Sequence, residues 1–384
     1  MGEMGQTYTG LSGKTKDDFG HGQARFVTYM NVFSNPISNP EMTEPIEIDP
    51  KQNEVEVGDV FFTTSSETPE EVGMSSILLE KRGKTYLNSF CFGFRPSEKI
   101  DSYYLAYMLR SESARAKITL LAQGISRYNI SKNKVMEIAV SLPSLDEQKM
   151  IGQYFSQLDN LITLHQRKYE KLTNVKKSML EKMFPQNGSS FPEIRFKGFT
   201  DAWEQRKLGE LISEYKETVD SSCTLPVLTS SKTEGVILQE EHFGRKQQHD
   251  ITGYNVLPRS YCTYRNRSDG VDFTFNVNEC CDMGIISKFY PIFCGNNNDT
   301  YFLSLVLNNS DEVVHEIAYT CTGTGQKVLS FLDLQKMSIR VPRQEEQKKT
   351  SAFFKQLDNL ITLHQRKLEK LQNIKKSMLE KMFV

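Results

Sequence analysis

The chain has 384 residues, a formal net charge of −1 and 38% hydrophobic residues. This length predicts two domains, and the composition is that of an ordinary globular protein. No apolar run reaches the roughly 18 residues of a membrane span, and the N-terminus lacks a signal-peptide pattern. The seven cysteines are odd in number and include no C-x-x-C pair, which excludes a disulfide framework or a zinc site and predicts reduced thiols in a cytoplasm.

Residues 1–143 have the pattern of a mixed α/β module. Residues 55–64 have the composition of a strand and residues 101–122 that of a helix, followed by a glycine-bearing polar loop at 123–127. The alternating sequence VMEIAVSLP, residues 135–143, predicts a closing strand.

Residues 144–184 predict one long helix. Ser144 and Glu147 form an S-x-x-E capping box, and no Gly or Pro interrupts residues 156–184. Apolar residues follow at steps of three and four, so the helix has a narrow seam that needs a partner helix. The predicted seam contains Leu158, Ile162, His165 and Leu172.

Residues 185–342 predict a connector and a second α/β module. Gly, Ser and Pro mark residues 185–199 as a loop. Residues 259–265 then predict a strand and residues 300–319 a helix, with a polar loop at 322–327. The sequence KMSIRVP, residues 336–342, predicts the closing strand of this module.

Residues 343–384 predict a second long helix that repeats the first. Residues 356–383 match residues 157–184 at 25 of 28 positions, at an offset of 199. The other copy is therefore the expected partner helix. The second seam contains Leu357, Ile361, His364 and Leu371.

The charge is unevenly distributed along the chain. The two modules have net charges of −3 and −5, whereas the two helical segments have +2 and +5. Phosphate neutralisation normally supplies much of the affinity for DNA. Charge alone therefore argues against nucleic-acid binding by the modules.

Several short motifs resemble catalytic ones without completing them. Gly13-Lys14-Thr15 lacks the glycine five positions earlier that a P-loop requires. The E-x-K sequences at Glu147 and Glu346 lie at helix starts and not on a strand beside a second carboxylate. No methyltransferase motif, triad or metal cluster is recognisable. The sequence therefore predicts a chain that is no enzyme and holds no cofactor or metal of its own.

Over essentially its whole length, the chain resembles the specificity subunits of type I restriction-modification systems, particularly those of low-GC Gram-positive (staphylococcal-like) bacteria. The most specific elements are the repeated helix start, with Leu142-Pro143 before Glu147-Gln148, and the QLDNLITLHQRK block. The segment FPEIRFKGFTDAWEQRKLGEL, residues 191–211, looks like the lead-in to a recognition domain in this family.

The resemblance implies an α+β fold in which two pseudo-symmetric, mixed α/β target-recognition domains alternate with two long helices that pair as an antiparallel coiled coil. Such pairing would place His165 near His364. The domains would be residues 1–143, the spacer helix 144–184, a linker with the second domain at 185–342, and the spacer helix 343–384.

The family also implies the function and the partners. Each recognition domain would read one half of a bipartite, asymmetric site in double-stranded DNA, with the helices as a spacer. Two modification subunits would bind S-adenosylmethionine and methylate adenine N6. Restriction subunits would translocate and cut DNA with ATP and Mg²⁺. No membrane would be involved.

The resemblance further implies a W-E-x-x-x-L-G lead-in ahead of the first module. Met1-Gly2-Glu3 aligns with Leu208-Gly209-Glu210, so we expect the chain to be truncated or its start to be assigned late. The packing of that lead-in near the C-terminal helix, which closes a quasi-circular arrangement in the family, is then expected to be incomplete.

For a DNA reader, the candidate base contacts are polar residues in loops, because Arg binds guanine and Asn or Gln binds adenine bidentately. The first-module candidates are Lys14, Lys16, Ser126, Arg127 and Asn129. The second-module candidates are Ser230, Ser231, Lys232, Tyr264, Arg265, Asn266, Arg267, Gln326 and Lys327. Any of them can equally be an ordinary surface residue, and basic helix residues such as Lys176 are more typical of a solvated face. Modest charge predicts weak DNA binding by the isolated subunit.

Two other functions are compatible with parts of the sequence. A coiled-coil adaptor carrying two non-DNA ligand-binding modules explains the helices and the acidic modules equally well. It does not explain why nearly invariant helices alternate with divergent modules of matching element order. A free-standing nuclease or methyltransferase is disfavoured by the missing motifs.

Overall fold

The computed structural model describes residues 1–186, 188–245, 250–323 and 326–383. The chain forms two compact units. The first unit is Met1–Arg167 with His364–Val384, and the second is Lys168–Leu363. Each unit therefore contains one α/β module, part of the long helix that follows it and part of the other long helix. This architecture confirms the predicted fold class.

The first module is built mainly of short strands. Its strands are Gly5–Thr9, Phe19–Val27, Thr43–Ile46, Val60–Thr63, Ser65–Ser66, Ser75–Ile77, Thr85–Leu87, Cys91–Pro96 and Tyr128–Asn129. Its helices are Tyr29–Ser34, Ser102–Met108, Glu112–Thr119 and Lys132–Met136, with short 3-10 turns at Gly2–Met4 and Lys16–Asp18.

The central sheet of the first module has four antiparallel strands, in the order Gly5–Thr9, Cys91–Pro96, Val60–Thr63 and Ser75–Ile77. The strand Val60–Thr63 is fully buried, because Val60 and Phe62 pack in one core cluster and Phe61 packs in another. The helix Ser102–Met108 contributes five consecutive buried residues to the core.

The second module has a similar plan. Its strands are Glu204–Lys207, Ile212–Tyr215, Leu228–Ser231, Gly235–Leu238, Asn255–Pro258, Cys262–Thr263, Arg267–Ser268, Asn276–Val277, Met283–Ile286, Ile292–Gly295, Lys327–Val328 and Ser338–Val341. Its helices are Leu208–Leu211, Gln239–Phe243, Thr300–Asn309, Asp311–Thr320 and Phe331–Lys336.

The central sheet of the second module repeats that of the first. Its order is Ile212–Tyr215, Ile292–Gly295, Cys262–Thr263 and Asn276–Val277, again antiparallel. The two modules thus share one strand plan although their sequences differ, which is the pseudo-symmetry that the matching element order predicts.

Both predicted module helices are divided in two. In the first module, Ser111 accepts a hydrogen bond from the Ala114 amide at 3.3 Å and starts a new helix at Glu112. In the second module, the helix that starts at Thr300 ends at Asn309, and another starts at Asp311. The residues on both sides of the capping serine favour a helix, so composition alone does not indicate this break.

Three predicted strands also differ from the structure. Residues 55–64 contain a strand only at Val60–Thr63, because a turn precedes it, and residues 259–265 contain only Cys262–Thr263. Residues 135–143 contain no strand, whereas the equivalent Ser338–Val341 forms one by pairing with Glu204–Lys207. That partner strand precedes Leu208, the residue that aligns with Met1.

The long helices are Leu145–Lys182 and Gln344–Lys381. In the first unit, their segments run antiparallel: Asp159 binds Lys375 at 2.5 Å, and the Nδ1 atoms of His165 and His364 lie 2.8 Å apart. In the second unit, Lys176 binds Asp358 at 2.6 Å. The predicted antiparallel pairing and the proximity of the two histidines are confirmed.

The seam between the helices is shallow, as expected for a two-helix contact. Leu158 and Leu357 are 7% exposed. The other predicted seam residues are half-buried, namely Ile162, His165, Leu172, Ile361, His364 and Leu371. The assignment of Lys176 to a solvated face was wrong, because its ammonium group binds Asp358 of the other helix.

The glutamine of each helix start has a structural role that explains its repetition. Gln148 is buried, donates to the Pro143 carbonyl at 2.9 Å and accepts from the Asp101 amide at 3.0 Å. Gln347 makes the equivalent bonds to Pro342 and Asp299. Each glutamine thereby attaches a long helix to its own module.

Among the described residues, none of the helices has the length and apolar character needed to cross a bilayer.

Candidate nucleic-acid interface

The candidate residues at the end of the second module lie beside one another. The strand Arg267–Ser268 pairs with Lys327–Val328, so Arg267 faces Val328 and Ser268 faces Lys327. Arg265, Arg267 and Gln326 are exposed, while Lys327 is half-buried. The two loops therefore present several hydrogen-bond donors on one surface.

A hairpin joins this surface. Leu228–Ser231 pairs with Gly235–Leu238, and Lys232 lies in the exposed turn between the two strands. The side-chain amide of Asn276 donates to the Ser230 hydroxyl and to the Ser231 carbonyl, both at 2.8 Å.

Lys232 also forms an ion pair with Asp272 across this surface. Both side chains are exposed, so water and salt screen this ion pair and it contributes little to stability. Lys232 can therefore exchange Asp272 for a phosphate at little cost in free energy.

The prediction that Tyr264 contacts a base was wrong. Its ring is fully buried against Phe275, and its hydroxyl donates to the Leu329 carbonyl at 3.2 Å. Burial raises the pKa of Tyr264 well above its usual range. The residue stabilises the core under the loops and cannot reach a base. Its neighbour Asn266 is half-buried, and its buried Oδ1 has no hydrogen-bond partner among the described residues.

The first module presents an equivalent loop. Gln123 and Asn129 exchange backbone hydrogen bonds at 2.8 and 2.9 Å, and Ser126, Arg127 and Asn129 are exposed. In the second module, Thr322 and Val328 make the same exchange, at the offset of 199. Of the predicted second loop, Thr324 and Gly325 lie outside the described residues.

Lys14 and Lys16 lie on a different loop. Lys14 binds Asp49 at 2.8 Å, and hydrogen bonding to Asp49 raises the pKa of Lys14. Hydrogen bonds, first from Lys14, lower the pKa of Asp49 to about 2. Lys16 is exposed. Across the parts of the chain that the structure describes, no hydrogen bond or ion pair connects either lysine with the loop that carries Arg127.

Sequence reasoning missed the strand opposite the first loop. Ser65–Ser66 pairs with Tyr128–Asn129, as Arg267–Ser268 pairs with Lys327–Val328. The exposed Glu67 that follows Ser66 therefore lies next to the candidate loop. An alignment of the two modules by strand order, and not by residue identity, identifies this segment.

The described residues include no cluster of three or more His, Cys, Asp or Glu side chains placed to hold a metal ion. All seven cysteines are unpaired. The exposed residues Arg127, Arg265 and Arg267 can donate hydrogen bonds and positive charge to a ligand.

Comparison with known proteins defines the class of this two-module binding protein. The family model for the type I restriction modification DNA specificity domain matches twice, at residues 8–174 and 201–373. The chain therefore belongs to this family of specificity subunits, which confirms the resemblance seen in its helices.

Individual proteins similar to this chain are also specificity subunits of type I restriction enzymes. The MjaX specificity subunit of Methanocaldococcus jannaschii is 25% identical over 352 residues, covering 84% of this chain and 77% of the relative. The MjaVIII specificity subunit of the same organism is 24% identical, covering 79% and 74%. A crystal structure of a type I S subunit from M. genitalium has the same fold, with a TM-score of 0.61 at 12% identity, covering 100% of this chain and 94% of that one.

Proposed function

We propose that this chain is the DNA sequence-recognition subunit of a type I restriction-modification complex. Each module reads one half of a bipartite, asymmetric site in double-stranded DNA, and the two long helices set the unread gap between the halves. The chain itself performs no chemistry and directs the chemistry of its partners.

The observation that carries this proposal is the duplication of one reader plan with divergent loops. Both modules have the same four-stranded sheet order and the same pair of two-residue strands beside a polar loop. The loops differ at almost every residue, whereas the helices that follow are nearly identical. Variable loops on a constant scaffold suit two sites of different sequence on one DNA.

The helices also offer a surface for protein partners. Leu161 and Leu164 on the first helix are 44% and 45% exposed, and the equivalent Leu360 and Leu363 on the second are 37% and 45% exposed. Exposed leucines at equivalent positions of two near-identical helices suit two copies of one partner. We assign this surface to two modification subunits.

The modification subunits would supply S-adenosylmethionine and transfer its methyl group to adenine N6. Motor-nuclease subunits, with ATP and Mg²⁺, would cut unmodified DNA. The modules are mildly acidic, at −3 and −5, so partner subunits are expected to supply much of the contact with DNA phosphates. All these steps take place in the cytoplasm.

The experiment that tests the proposal is an adenine methylome. The chain is expressed with a cognate modification subunit in a host without other DNA methylation. We expect one methylated motif of two short, defined halves around a fixed gap. The control is the same modification subunit with a specificity subunit of known activity. A stable complex that methylates no site while the control is active contradicts the proposal, and failure to form any complex favours the adaptor.

A further inference from the structure

The first unit contains a cavity of about 570 Å³, whose wall includes two arginines of the first module and Lys375 of the second long helix. Arg110 follows the helix Ser102–Met108, and Arg115 lies in the helix Glu112–Thr119. The apolar part of the wall is formed by Pro36, Met74, Tyr107, Ala116 and Leu379. Two carboxylates, Glu70 and Glu112, line the cavity as well, and both residues are exposed.

Both guanidinium groups are held in place by neutral acceptors. Arg110 donates from Nε to the Ser75 carbonyl at 2.7 Å, and from Nη2 to the carbonyls of Val32 and Phe33 at 2.8 and 2.9 Å. Its Nη1 makes no hydrogen bond to any of the residues that the structure describes. The orientation of the group is therefore fixed while part of its donor capacity stays free.

Arg115 is held in the same way. It donates from Nη1 to the Gly73 carbonyl at 2.7 Å, and from Nη2 to the carbonyls of Glu70 and Val72 at 2.8 and 2.6 Å. Its Nε has no acceptor within the described parts of the chain.

The two positive charges have no paired counter-ion. No salt bridge to either guanidinium exists among residues 1–186, 188–245, 250–323 and 326–383. Asp159 favours the charged form of Arg110 from a distance, but its oxygens already accept from the Tyr107 hydroxyl at 2.8 Å and from Lys375 at 2.5 Å.

Burial, with the nearby charge of Arg115, lowers the pKa of Arg110 to about 10, and burial lowers the pKa of Arg115 to about 10. Both side chains remain protonated at neutral pH. Both arginines are half-buried, and a charge that is partly removed from water is stabilised by a counter-ion, so an anion in this cavity would interact favourably with both groups.

The second module shows that the shared fold does not need these arginines. Asn308 and Asn309 occupy the turn equivalent to Arg110, and Val314 stands at the position of Arg115 relative to the helix caps Ser310 and Ser111. The side chain of Asn308 bonds to the backbone of Phe275, at 2.9 and 2.8 Å. The two neighbouring arginines are thus present in the first module and not at the equivalent positions of the second.

We propose that this cavity binds a phosphate group carried by a nucleotide. A fixed guanidinium pair matches the oxygens of a phosphate, and an apolar wall in a cavity of this size suits an organic body. The phosphate belongs either to a free nucleoside phosphate or to the DNA backbone. None of the candidate base-reading residues lines this cavity, so the inference goes beyond the proposed function.

The test uses the purified full-length chain and titration calorimetry with inorganic phosphate, AMP and adenosine. The chain assembled with its modification subunits is then titrated with duplex DNA. Arg115→Met removes one charge. Ala116→Phe fills the cavity from an exposed helix position and leaves both arginines bonded, so it tests the site even if Arg115→Met fails to fold. Lys117→Gln, on the same helix, removes a charge that does not line this cavity and serves as the matched control.

We expect AMP and phosphate to bind and adenosine not to bind. Arg115→Met and Ala116→Phe should each reduce the affinity for AMP and phosphate about tenfold or more, and Lys117→Gln should leave it unchanged. If only duplex DNA shows this pattern, the phosphate recognised is that of the DNA backbone. Wild-type binding of every ligand by Ala116→Phe, or no binding of any of them, overturns the proposal.

Discussion

Removing the guanidinium of Arg195 should strongly destabilise the second unit. Its Nε and Nη2 donate to the two carboxylate oxygens of Glu346, both at 2.7 Å, and Glu346 is 2% exposed. Arg195→Ala would leave a buried, unpaired carboxylate, which costs about 3–5 kcal/mol. With an m-value of about 2–3 kcal/mol/M, the urea midpoint should fall by about 1–2.5 M.

The assay is the fluorescence of Trp203, the single tryptophan of the chain. It is buried in the second unit, against Phe184 and Phe302, so its emission reports the unfolding of that unit. Arg206→Ala is the matched control, because it breaks an exposed pair with Glu210 that is worth about 0–1 kcal/mol.

Adding Glu346→Gln to Arg195→Ala should recover part of the loss, because the buried charge is then removed. A midpoint that Arg195→Ala lowers no more than Arg206→Ala does would refute a stabilising buried ion pair between Arg195 and Glu346.

Leu357→Ala should lower the free energy of unfolding, followed by the same fluorescence, by about 2–5 kcal/mol because Leu357 is 7% exposed. An unchanged urea midpoint would contradict the packing of Leu357 between the helices. Leu161→Ala should change stability by less than about 0.5 kcal/mol but weaken co-purification with the modification subunit, and undiminished co-purification would remove this residue from the partner surface. The Asp49–Lys14 pair should stabilise the fold above about pH 4 and lose its effect as the pH falls toward 2, because the folded-state pKa of Asp49 is depressed to about 2. In a carboxyl NMR titration, Lys14→Met should raise that pKa toward its ordinary value, and no change would exclude the ion pair as its cause. Cys262 should resist thiol reagents in the native protein, because burial raises its pKa well above the usual range, and rapid labelling would argue against this core.

The sequence predicts the long helices and their pairing well, because the repeat and its apolar period are strong local signals. The pairing of Asp159 with Lys375, however, depends on the antiparallel register, which places opposite charges from distant parts of the chain together. Periodicity on one helix does not contain that information.

The candidate interface is predicted less completely. Polar loop composition selected Arg127 and Arg267, which are exposed, but it also selected Tyr264, which is buried. Burial within a loop-like sequence depends on tertiary packing, here against Phe275. The strand Ser65–Ser66 was missed because two residues carry no periodic signal.

The central claim is that each module reads one half of the DNA site, and a module exchange tests it most directly. Residues 190–342 are replaced by the corresponding module of another specificity subunit, and the adenine methylome is determined again with the same modification subunit. We expect one half of the methylated motif to change while the other half and the gap are retained. A motif that changes in both halves, or in neither, would contradict it.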